Sequence, residues 1–168
     1  MSLTSTLEAG RRDFLEATAD LTPQQASTKP SPNAWSVLEC IEHVVTVEHR
    51  FLGWIANGAE ITPQRNGDNE LRLFTMIRNR ETKVEAPEVV RPTGRFTNLS
   101  DALAEFNAAR DRSVEVITSH GEKLYALGAK HPRFGDLNGA EVFHVIDGHA
   151  RRHAEQIRET VESLALRL

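Results

Sequence analysis

Apolar residues recur at helical spacing in four stretches of the chain, and nowhere do they alternate with polar ones over the length of a strand. The first stretch runs through Leu7, Phe14 and Leu21 with Leu15 beside them. Ser5 and Glu8 form a Ser-x-x-Glu capping box at its start, which predicts a helix over 5–19. Thr22-Pro23 opens a short second turn, and Pro30 and Pro32 keep the chain extended up to Trp35. Ser36 and Glu39 supply another box ahead of Leu38, Ile41, Val45, Leu52 and Ile55, predicting a helix over 37–56 that Asn57-Gly58 closes. Leu99, Leu103, Phe106, Val114 and Ile117 mark a third helix, 100–119, starting at Ser100 and stopped by Gly121; Asn138 and Glu141 cap a fourth, 139–165. The long connection between Gly58 and Leu99 contains one amphipathic segment, about 68–83, with Leu73, Phe74, Ile77 and Val84 inward and prolines after it. The pattern predicts an all-α four-helix bundle with a long crossover between helices two and three, which need not be antiparallel neighbours.

Composition narrows the class. With 168 residues, 39% apolar and 26% charged, the chain reads as one globular domain over 1–168. No apolar run approaches the roughly 18 residues of a membrane span. A net charge of −4 without any Lys/Arg cluster argues against nucleic-acid binding, which needs a basic face. The N-terminus lacks a basic region followed by an apolar block, and the single cysteine, Cys40, allows no intrachain disulfide, so a cytoplasmic location is expected. Broad apolar arcs on the helices leave room for a homodimer.

The chemistry concentrates on the fourth helix. Val142, Ile146, His149, His153, Ile157 and Leu164 fall on one stripe, so two histidines stand where core residues belong. Four residues apart, they can grip one ion, and their lost hydration has to be offset by metal coordination or by hydrogen bonds. The spacing alone leaves both readings open, and a catalytic zinc-type site would need a third ligand from another helix. His144 points the opposite way. His43 lies at the edge of the apolar arc of the second helix, while Glu39, Glu42, Thr46 and Arg50 hold its solvent side. Arg110, on the buried face of the third helix, calls for an acidic partner or a substrate carboxylate. Cys40 reads as core filling, His49, His120 and His144 as surface residues, and His131 as part of a turn. Trp35 and Trp54 are candidates for the wall of an apolar pocket.

Trp35-Ser36 opening a helix, His43, a long proline-bearing crossover, His131-Pro132-x-Phe134-Gly135 and His149-x-x-Arg152-His153-x-x-Gln156-Ile157 follow one another in a set order. In this order the chain resembles, over nearly its whole length, the DinB-like superfamily of metalloenzymes. That group includes YfiT-like hydrolases and the bacillithiol- and mycothiol-dependent S-transferases. The resemblance implies a four-helix bundle with a crossover and a divalent metal, zinc or nickel, held by three histidines. Carried over by position, these are His43, His149 and His153.

Such a site would keep a coordination position for water or a thiol and lower the pKa of either. The leading expectation is therefore a metal-dependent enzyme transferring a low-molecular-weight thiol to an electrophilic small molecule. The alternatives are a metal-dependent hydrolase and a non-catalytic metal- or ligand-binding stress-response bundle. No general base is evident: Glu42 precedes His43 but is expected to face solvent, which favours thiol chemistry, since coordination itself deprotonates a thiol.

Overall fold

The computed structural model describes residues 2–81 and 84–166. Its long helices are α1 (Leu3–Ala17), α3 (Val37–Ala56), α5 (Leu99–His120) and α6 (Gly139–Ala165), with the shorter α2 (Pro23–Ser27) and α4 (Gly67–Arg78) between them. Capping explains most boundaries. Ser36 and Asn138 each accept from a backbone N–H three residues on, while Glu39 and Glu141 reach back to the cap, as expected. Two starts lie earlier than predicted. Ser2, not Ser5, caps α1 by accepting from Ser5 N, and Asn98 caps α5 by accepting from Asp101 N, so Ser5 and Ser100 are already inside their helices.

The pairings between helices define the bundle's directions. His43 meets His149 while Ile55 lies against Gly139, so α3 and α6 run in opposite directions. Glu48 meets Arg110 and Ser113; Ile55 and Ile117 share one apolar cluster, and Ile41 and Phe106 the other, so α3 and α5 run the same way. α1 packs against α5 and α6, and α4 lies across α6 from outside. The connection from α3 to α5 carries α4 and a 3₁₀ turn at Glu88–Val90. The expected helix of that segment stops at Arg78. Its inward residues Leu73 and Ile77 are buried, Val84 is 48% exposed, and Thr82 and Lys83 lie outside the described residues.

A small antiparallel sheet joins the helices: β1 (Ala59–Glu60), β2 (Leu127–His131) and β3 (Gly135–Asn138), in that order. Alternation cannot reveal strands this short. β2 reads Leu-Gly-Ala-Lys-His, and β1 exists only because Ala59 and Glu60 come to lie opposite Gly128 and Leu127.

The interior is divided. One apolar cluster holds Val47, Phe51, Ile55, Ile117, Val142 and Ile146; the other holds Phe14, Ile41, Val44, Phe106, Ala150 and Ile157. Between them runs a buried polar layer of Glu48, Arg110, Ser113 and Asp147, each 1% exposed or less. Arg110 Nε lies 3.1 Å from Glu48 Oε2, Ser113 Oγ donates to Glu48 Oε1 at 2.6 Å, and Asp147 accepts from Arg151 Nε at 2.9 Å. The acidic partner expected for Arg110 is thus Glu48. α1 approaches this layer through Gly10, where a Cβ would overlap Asp147 Oδ1. Among the described residues, no helix is long and apolar enough to cross a membrane.

Candidate metal centre

At the level of the polar layer, the middle of α6 faces the first turns of α3, and there three imidazoles converge. His43 Nε2 lies 3.1 Å from His149 Nε2, and His153 Nε2 lies 3.2 Å from the same atom. One ligand nitrogen from each of His43, His149 and His153 falls within 4.8 Å of the others, a cluster that can hold a metal ion. A zinc–nitrogen bond of about 2.0–2.1 Å in a tetrahedron separates ligand nitrogens by roughly 3.3 Å, which the two close pairs match.

The wheel of α3 alone placed His43 at an edge. In the structure it is only 4% exposed, because the crossover covers that side of the helix. Its Nδ1 donates to Val90 O at 2.7 Å, which fixes the tautomer and leaves the Nε2 lone pair facing the other two rings. His149 is half-buried and His153 buried, with its Nδ1 lacking an aligned hydrogen bond.

With the His43 proton on Val90 O, the three facing Nε2 atoms have at most one proton to share. If His149 Nε2 carries the proton, it is divided between two acceptors, and the Nδ1 proton of His153 is left to Gln156. If His153 Nε2 donates to His149 instead, the lone pairs of His149 and His43 face each other at 3.1 Å. A cation among the three would engage all three lone pairs at once.

Protons are also disfavoured here. Burial holds His149 well below the usual imidazole range, reinforced by His153, His43 and the Arg152 guanidinium. Burial does the same to His153, with His43 and Arg152 adding to it and Gln156 opposing. His43 is lowered by burial, with the Val90 carbonyl pulling the other way. All three imidazoles are therefore neutral near pH 7, the form that binds metal.

Trp35 completes the wall, its ring 4.8 Å from that of His43 and 6.2 Å from that of His153. Trp54 does not join it. It packs on Phe51 and His131, eleven residues further along α3, or roughly 16 Å of helix. His131 accepts from Arg133 N and Phe134 N and so shapes the β2–β3 turn. Cys40 is fully buried, its thiol pushed up to about 12 by burial and by Glu39 against the pull of Arg80, which rules it out as a nucleophile. His49 is exposed and His120 half-buried on Val116 O. His144 is less open than expected, with its Nε2 3.3 Å from Glu70 of α4.

Glu42 overturns its expectation. Instead of facing solvent it is 3% exposed and accepts from Thr93, Gly94 and Arg95 of the crossover. A wheel assigns faces by the helix's own residues and has no means of seeing a loop laid over the polar side. Ser36-x-x-Glu39, which seats the first turn of α3, was by contrast visible because the cap is local.

Three comparisons bear on this geometry. The model of the DinB superfamily matches residues 6–157. An uncharacterized protein of Bacillus subtilis (strain 168), YuaE, is 23% identical over 144 residues, covering 86% of this chain and 88% of its own. Among solved structures, YfiT from Bacillus subtilis, described as a probable metal-dependent hydrolase with an unusual four-helix bundle topology, superposes with a TM-score of 0.60. It is 14% identical, with 97% of this chain and 86% of that one covered, which makes it a likeness of fold. The family match spans both histidine-bearing helices and the crossover between them, and the chain belongs to the DinB superfamily.

Proposed function

We propose that this protein is a divalent-metal-dependent enzyme whose ion is held by His43, His149 and His153, and that it transfers a low-molecular-weight thiol to an electrophile. The observation that carries the reading is the convergence of three neutral imidazole nitrogens that have at most one proton to share among them. A zinc or nickel ion so held supplies Lewis acidity and lowers the pKa of a water or thiol at its open position.

The residues around the triad support the thiol. Three carboxylates of α3 and α6 are engaged elsewhere: Glu42 with the crossover, Glu159 with Arg80, Asp147 with Arg151. Among the described residues, only the three histidines make up the candidate ligand group. With these three carboxylates so engaged, a nucleophile that ionises easily is favoured, and a thiol at pKa about 8.5 needs far less help than water. Trp35 offers an apolar face beside His43 and His153 that would orient an electrophile and exclude water. Metal-dependent hydrolysis is the second reading, supported by the likeness of fold to YfiT.

The test is initial rate on a reactive aryl halide with glutathione-like, cysteine-based and sugar-linked thiols, each with and without zinc or nickel. Turnover requiring both metal and thiol is expected. Metal-dependent hydrolysis of an ester without any thiol would move the assignment to the hydrolase. A metal-loaded protein silent in every arm would leave a binding bundle.

A further inference from the structure

Two consecutive residues of α3 hold one stretch of the crossover. His43 Nδ1 donates to Val90 O at 2.7 Å. Beside it, the Glu42 carboxylate accepts four hydrogen bonds, from Thr93 N at 2.7 Å, Thr93 Oγ1 at 2.8 Å, Gly94 N at 2.9 Å and Arg95 N at 3.1 Å. Three successive backbone N–H groups aimed at one anion form a nest, and Gly94 makes the bend at φ +81°, a conformation that side-chain-bearing residues rarely adopt. The Arg95 guanidinium hydrogen-bonds Glu105, at 2.6 Å through both of its terminal nitrogens, so the hydrogen bonds to Glu42 come from the strap's backbone and the Thr93 hydroxyl. Burial would push the Glu42 carboxyl up, but the bonds from Thr93, Arg95 and Gly94 outweigh it and hold the group below the usual carboxylate range.

Anchoring a loop does not by itself require a buried, four-coordinate carboxylate. What this anchor controls lies three residues upstream, where Val90 O accepts from His43 Nδ1 and so decides which nitrogen of that ring is bare. A carbonyl or carboxylate behind a metal-binding histidine fixes both its tautomer and its rotation. We infer that Glu42 is a positioning residue for His43, acting through the strap 90–95: its seat in the Thr93–Arg95 nest sets the Val90 carbonyl that orients the ring and keeps Nε2 free for the ion. This rests on the metal reading above. A role confined to docking the crossover would affect stability alone.

The experiment uses the full chain as wild type, Glu42→Gln, Gly94→Ala and Thr93→Val. It measures the zinc dissociation constant by competition with a chromophoric chelator, and the ring-nitrogen shifts of His43 by NMR in the metal-free protein. Glu42→Gln keeps the size of the side chain but turns an NH₂ toward the nest. It is expected to weaken zinc by about 10–100-fold and to move His43 from a single Nδ1–H tautomer toward a mixture. Gly94→Ala has open space for its methyl, so it strains only the bend, and it should show a smaller loss of the same kind. Wild-type zinc affinity together with an unchanged His43 tautomer in Glu42→Gln would overturn the inference, even if that variant melts lower. If Glu42→Gln does not fold, the same result in both Gly94→Ala and Thr93→Val overturns it. If the wild type itself binds no zinc, the metal reading fails, while the His43 tautomer in the metal-free variants still decides whether Glu42 orients the ring.

Discussion

Arg110 and Glu48 face each other 3.1 Å apart, each side chain 1% exposed, in the seam between two apolar clusters. The guanidinium also lies 5.3 Å from the centre of the Phe106 ring and reaches Ile146 O from Nη2 at 3.4 Å, so the pair is held chiefly by charge. Breaking a buried pair strands the partner's charge, at about 3–5 kcal/mol, whereas replacing both ions by apolar groups is often neutral. Arg110→Met should therefore lower the urea midpoint by an amount of that order, and Glu48→Leu/Arg110→Met should recover most of it. A single variant within about 0.5 kcal/mol of wild type would refute this.

His43→Ala, His149→Ala and His153→Ala are each expected to abolish stoichiometric metal, roughly one ion per chain, while His144→Ala and His49→Ala retain it. Elemental analysis of protein purified without a histidine tag is the measurement. Equal metal content in wild type and His153→Ala would remove the triad.

Acid should destabilise the metal-free fold. Folded His149 and His153 accept protons only well below 6.5, whereas unfolded imidazoles do so near 6.5. Below about 6.5 the unfolded chain holds more protons, so stability is complete above that pH and is lost as pH falls toward the folded values. Asp147 acts in the other sense. Burial raises its carboxyl above 3.8 despite Arg151, so the folded chain keeps that proton longer, and this contribution fades as pH rises. Melting temperatures from pH 8 to pH 5 should fall, and less steeply in His153→Gln than in the wild type.

Gly10→Ala should loosen α1 from α6, because the added methyl overlaps the Asp147 carboxylate and neither helix can retreat without uncovering Leu7 and Phe14. The expected loss is about 1–3 kcal/mol, as for an overpacked core, read from chemical denaturation. An unchanged midpoint would show that the interface yields freely.

Trp35 should report metal binding. Its ring lies against His43 and His153, whereas Trp54 packs on Phe51 and His131. Titration with nickel should quench tryptophan emission in wild type and Trp54→Phe but leave Trp35→Phe nearly unchanged. Equal quenching in both variants would place the ion elsewhere.

What could be read from the chain depended on how local its cause was. The capping boxes of Ser36 and Asn138, and the shared face of His149 and His153, are set within one or two turns of helix and are visible in the residues. The burial of Glu42 and His43 was not, because it comes from a strap some fifty residues away laid on a side of α3 that looks polar. Arg110 was legible as a buried cation needing an anion, but Glu48 was not, since no periodicity marks one acidic residue among several on α3 as the inward one. β1 escaped notice for the same reason, as two residues acquire strand geometry only from their partner.

His43 and His149 are 106 residues apart, and the chain's one cysteine permits no intrachain disulfide. An ion gripping both helices would be a reversible crosslink, formed only once folding has brought the two histidines together. Unlike a disulfide it would act on the folded state, by binding a site that the unfolded chain lacks, and it would be withdrawn by a chelator rather than a reductant. Resistance to heat would then follow the supply of metal, and two preparations of one sequence could differ in melting temperature through the occupancy of a single site.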